Sequence, residues 1–183
     1  MKKILSFIVL LGLSTGCSCT SNITKSTPTK EVEKFLNNYQ TLNNDVVAQL
    51  DDVVQKELTF TEEQKEKYKD IMKKHYQDLT YEIKDEVIDG DNATVTVEIE
   101  VRDYSKIMSD ADTYLTEHPE EFNDDTGAYN VSLFNDYRLE KIKEAKEKVK
   151  YTLNLTLTKI DDEWHLDDLS EVDESKIHGT YQY

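Results

Sequence analysis

The chain has 183 residues, with 22 Lys and Arg against 38 Asp and Glu, and a net charge of −16. That length suits one domain with a tail and excludes a TIM barrel, which takes roughly 250 residues. The acidic balance leaves no basic surface to displace phosphate counterions, which argues against a nucleic-acid partner. With five Gly and two Pro, no glycine-rich phosphate loop is spelled out either.

In chain order, Lys2 and Lys3 precede an apolar run over residues 4–13, the pattern of a secretory signal. The run is too short to span a bilayer, which takes about 20 residues. The following Leu13-Ser14-Thr15-Gly16-Cys17 resembles the lipobox of bacterial lipoproteins, with Ser14 where those proteins favour Leu. The resemblance implies a signal peptide over 1–16 and a diacylglyceryl anchor on Cys17, hence an extracytoplasmic protein held at the cell membrane. Cys19 and an ordinary cleaved signal are the weaker alternatives. Two acyl chains hold stably where one holds marginally. Losing Lys2 and Lys3 would leave −18, so the domain should stand off anionic lipid at the end of its tether. Both cysteines fall before residue 20, so the folded part has no disulfide.

Residues 17–27 read as lipidated Cys and flexible linker, 28–172 as a single domain, and 173–183 as a polar tail. Thr27-Pro28 starts a helical period running from Val32 through Val54, divided in two by Asn43-Asn44-Asp45. Thr61 and Gln64 form a capping box, and the stripe of the third helix is Tyr68, Ile71, Met72, His75, Tyr76 and Leu79. The period then becomes two. Leu79, Tyr81 and Ile83 share a parity that Val87 resumes, and after the turn at Asp89-Gly90 comes the clearest strand, with Val95, Val97, Ile99 and Val101 on one face. A helix through Ile107 to Leu115 stops before Pro119, an acidic loop covers 120–125, and another helix carries Phe134, Tyr137 and Ile142. Tyr151, Leu153, Leu155 and Leu157 alternate in a second hairpin that returns through Trp164 and Leu166. The expectation is α+β: N-terminal helices on one face of a curved antiparallel sheet of about four strands, with a helical insertion between two hairpins.

The stretch 155–169, with its charged turn Asp161-Asp162-Glu163 followed by Trp164, Leu166 and Asp167, resembles the closing hairpin of the nuclear transport factor 2-like superfamily. The Asp89-Gly90 turn and strand 93–101 are similar to an earlier hairpin of the same cystatin-like group. The resemblance implies a cone-shaped pocket between sheet and helices, with an acid or base on the inner sheet face in the family's enzymes. Here those inner positions are apolar apart from a tyrosine, and Asp85 is the one inner-parity carboxylate, better read as a bulge or edge residue. The insertion over 103–148 departs from shorter family members.

Among other residues, the four histidines are scattered without metal-ligand spacing, and His165 with Asp167 reads as a sheet-surface pair. The acidic clusters read as solvated turns, Asp124 and Asp125 being the best placed for calcium. Eleven tyrosines are many for this length. Tyr76, Tyr81, Tyr137 and Tyr151 fall on inner stripes, where they either line a pocket or belong to the core. No cofactor and no catalytic set is expected. The reading is a lipid-anchored, non-enzymatic interaction module with an envelope or extracellular protein partner, contacted through the sheet face or the 120–130 loop, with a homodimer through the sheet face also open. The alternative is a small-molecule carrier or cryptic enzyme with a tyrosine-lined pocket between sheet and helices.

Overall fold

The computed structural model describes residues 26–182, so the signal segment and Cys17 lie outside the described residues. The N-terminal helices begin where side chains supply the missing acceptors. In α1 (Pro28–Gln40) the Thr27 hydroxyl accepts from the Lys30 amide, and in α2 (Asn44–Lys56) the Asn43 side chain accepts from the Val46 amide. α3 (Glu62–Gln77) has a reciprocal capping box between Thr61 and Gln64.

Four antiparallel strands follow in spatial order β1 (Thr80–Asp89), β2 (Asn92–Arg102), β3 (Lys148–Ile160) and β4 (Glu163–Leu166). Between β2 and β3 the chain runs through α4 (Tyr104–Glu117), a 3-10 turn (Pro119–Phe122) and α5 (Val131–Glu144), and α6 (Glu171–Ile177) closes it. The architecture is α+β, with an N-terminal helical layer on one sheet face. No described helix is long and apolar enough to cross a membrane.

Register explains the burial. Val95 faces Leu155, Val97 faces Leu153 and Ile99 faces Tyr151, so two apolar rows lie side by side on the inner face. They pack with Val32 and Leu36 of α1 and Met72 of α3 into one core. Each fully buried aliphatic side chain contributes about 1.5–3 kcal/mol. From Val95 to Val101 and from Leu153 to Leu157 the inner residues are at most 2 % exposed, and a water-sized void beside them would have left more. A second, smaller core joins Ala111, Phe122 and Phe134 within the insertion, with Tyr114, Leu115 and Tyr137 around it.

Two sequence expectations need correction. A register shift between Ile83 and Asp85 inserts an extra residue into β1. Val87 therefore pairs with outward-facing Thr94 instead of resuming the inner parity, and it is 57 % exposed. Asp85 sits at this bulge in solvent, its carboxylate accepting from the Glu86 amide at 2.9 Å. At the other end, the polar composition of residues 173–183 predicts a tail outside the domain. Instead α6 forms within 171–177 and Ile177 is fully buried in the main core. The domain runs through Tyr181, which packs against that core. Ile177, at the right place in a polar stretch, anchors the segment because it fills the end of a core that would otherwise stay open.

Candidate functional site

The four tyrosines singled out from sequence go to four places. Tyr81 sits on the seam between β1 and α1, its hydroxyl donating to Asn37 Oδ1 at 3.2 Å. Tyr137 belongs to the small core, stacked on Tyr114 at 4.9 Å with Lys141 Nζ 5.2 Å above its ring. Tyr151 is buried on β3, edge-on to Tyr181 at 5.7 Å. Tyr81 also borders a shallow depression on the sheet beside Glu98 and Lys150, whereas Tyr76 lines a larger groove that lies between helices, not between sheet and helices.

The groove encloses about 350 Å³. α1 contributes Tyr39; α2 contributes Val46, Leu50, Asp52, Val53 and Lys56; α3 contributes Tyr68, Met72 and Tyr76; and the C-terminal segment contributes Glu174, His178 and Thr180. Tyr39 and Tyr76 meet edge-to-face at 5.0 Å and form the floor with Leu50 and Met72. The Tyr76 hydroxyl and His178 Nδ1 share a hydrogen bond of 3.0 Å. Burial, reinforced by the charge of Glu174, pushes the Tyr39 phenol up to about 12. Burial also raises Tyr76 and Tyr68 and lowers His178. The phenols therefore stay protonated and the imidazole neutral.

Sequence reasoning placed Tyr39 and Tyr68 on helical stripes and left Glu174 and His178 in the tail, so it missed most of this site. A signal was present. Ser170 caps α6 by accepting from the Asp173 amide and donating to Asp173 Oδ2, and Gly179 ends the segment at φ +70°.

The same segment is docked from beneath. His75, almost fully buried, donates from Nε2 to the Ile177 carbonyl at 2.9 Å and lies 4.7 Å from the Tyr104 ring. The Gly179 carbonyl accepts from the amides of Tyr104 and Ser105, both at 2.9 Å, at the start of α4. Burial pushes the His75 imidazole down to about 4, and its Nδ1 has no partner among the described residues.

The loop ahead of α5 is a rigid turn rather than a loose acidic segment. Asp124 Oδ1 accepts from the Thr126 amide (2.8 Å), the Thr126 hydroxyl (2.6 Å) and the Ala128 amide (3.1 Å). These bonds, the Thr126 hydroxyl's foremost, hold its carboxyl below the usual range. The Asn130 amide donates to the Phe122 carbonyl at 2.7 Å, and Phe122 is buried below. Asp125 is exposed, and among the described residues no three His, Cys, Asp or Glu side chains are grouped to hold a metal ion.

The outer sheet face carries cross-strand polar pairs, Thr96 to Asn154 at 3.0 Å and Lys150 to Glu98 at 2.9 Å. His165 and Asp167 lie exposed at its β4 end, where Asp167 accepts from the Thr158 hydroxyl at 2.9 Å.

Neither a family model, nor a curated protein, nor a solved structure matches this chain.

Proposed function

We propose that this chain is a lipid-anchored extracytoplasmic interaction module, tethered through Cys17, that engages an envelope or extracellular protein partner without catalysing a reaction. One observation carries the reading. The hydrogen-bonded turn at 122–130 leads into three exposed apolar side chains, Tyr129 (52 %), Val131 (40 %) and Leu133 (41 %). Apolar side chains held out by a preorganised backbone are what a protein contact uses, because little conformational entropy remains to be lost on binding. The packed inner sheet face favours this reading over a carrier, since the cone-shaped pocket that the nuclear transport factor 2-like resemblance implies has no room there.

The test is site-specific photocrosslinking from position 129 in intact cells, with Cys17→Ala and Leu133→Asp arms. A discrete adduct that Leu133→Asp abolishes is expected, with the Cys17→Ala chain released or left unprocessed. A diffuse adduct pattern unaffected by Leu133→Asp would remove the surface from the proposal, and normal anchoring of the Cys17→Ala chain would remove the tether.

A further inference from the structure

We infer that the groove between α1, α2, α3 and the C-terminal segment binds a small amphipathic amine, a hydrocarbon or aromatic body carrying one ammonium group. Its floor of Leu50, Met72, Tyr39 and Tyr76 is apolar and its volume of about 350 Å³ admits a small organic molecule. The polar observation is at Tyr39. This side chain is only 7 % exposed and lines the groove, yet its hydroxyl makes no hydrogen bond among the described residues. The phenol oxygen opens into the groove and meets water there, so a ligand whose apolar body covers the floor can replace that water with its own donor.

The rim decides the ligand's charge. Asp52 on α2 and Glu174 on α6 both line the groove, Glu174 near enough for its charge to act on the Tyr39 phenol, and Lys56 is the one cationic lining residue. An ammonium has three donors and no acceptor, which suits two carboxylates and a phenol oxygen. An anion would meet both carboxylates and the field of a chain with net charge −16. The aromatic walls add attraction for a cation at their faces.

The experiment is an NMR titration of the full chain in neutral detergent, following tyrosine ring resonances. Phenethylammonium is compared with phenethyl alcohol and 3-phenylpropionate, probes of matched shape and different charge. Saturable shifts at Tyr39 and Tyr68 are expected for the amine, weaker ones for the alcohol and none for the carboxylate. Glu174→Gln and Tyr39→Phe should each weaken the amine about fivefold, the range for a partly exposed charged or hydrogen-bonding group. Glu117→Gln, an exposed carboxylate at the end of α4, should leave binding unchanged. Equal binding of the three probes, no saturable amine binding, or amine binding indifferent to both groove variants would overturn the assignment. Glu174 is exposed on the surface, so Glu174→Gln tests charge without disturbing the core should Tyr39→Phe destabilise the chain.

Discussion

The main core and the C-terminal segment are held by different kinds of interaction. On the inner sheet face, Val95, Val97, Ile99, Leu153, Leu155 and Leu157 are all buried, and their stabilisation is spread over many weak, non-directional contacts. The C-terminal segment depends on a few atoms in fixed places. These are the Gly179 carbonyl under the α4 amides, His75 Nε2 against the Ile177 carbonyl, and the Tyr76 to His178 hydrogen bond. Arg102 adds to the polar framework by donating to the Ala145 carbonyl and to Asp78. A distributed core tolerates exchange of like for like. A docking point built from single atoms does not, and this one also forms a wall of the groove.

The sharpest test is a substitution in each region. Leu153→Ala, at a fully buried position in the middle of β3, should destabilise by about 4 kcal/mol, the cost of lost transfer energy plus an uncollapsed cavity. Leu153→Met, which preserves volume, should cost less than about 1.5 kcal/mol. For the C-terminal segment, Gly179→Ala should cost about 3 kcal/mol even though it adds only a methyl group. Gly179 has φ +70°, and a Cβ there would collide with the Arg102 carbonyl oxygen and come within 2.9 Å of His75 Cε1. The backbone must move, and both amide bonds to α4 move with it. Urea unfolding of the three variants checks the contrast. A Gly179→Ala midpoint equal to that of the parent chain would show that the segment does not dock as described.

The same contrast governs what could be read from sequence. Strands β2 and β3 were legible because one face is sealed, so their side chains alternate without exception from Val95 to Val101 and from Tyr151 to Leu157. The Thr61 and Gln64 capping box was legible because a local spacing determines it. The bulge in β1 was not. Inserting one residue leaves a plausible alternation on either side, and only the pairing with β2 shows that the parity has changed. Nor was the groove. Its lining comes from segments beginning near residues 39, 46, 68 and 174, and the tyrosines in it occupy ordinary core-stripe positions. Tyrosine satisfies a packing stripe and a binding surface equally well, so periodicity cannot separate Tyr39 and Tyr76 from Tyr137 and Tyr151.

Acid should separate the two regions by a smaller but cleaner margin. The apolar core has nothing to titrate. His75 does, because burial outweighs the favourable hydrogen bond to the Ile177 carbonyl and places its folded-state value at about 4, against 6.5 for the ordinary imidazole. Between those values the unfolded chain binds the proton and the folded chain does not. Stability from this group is therefore complete above about pH 6.5, falls as the pH drops towards 4, and changes no further below it. The loss by about pH 5 amounts to roughly 2 kcal/mol. His178, also lowered by burial, acts in the same direction, while Asp78, held low mainly by its hydrogen bond from Arg102, loses its contribution only in stronger acid. Relief of self-repulsion in a chain of charge −16 opposes these effects, so the measurement must be a difference. His75→Gln can keep a donor to the Ile177 carbonyl but cannot bind the proton. Its stability should fall less steeply than the parent's from pH 6.5 to 4.5, so the gap between the two curves narrows or reverses on acidification. Parallel curves would mean that His75 is not sealed beneath the C-terminal segment, which would then be held by the Gly179 carbonyl and the Tyr76 to His178 hydrogen bond.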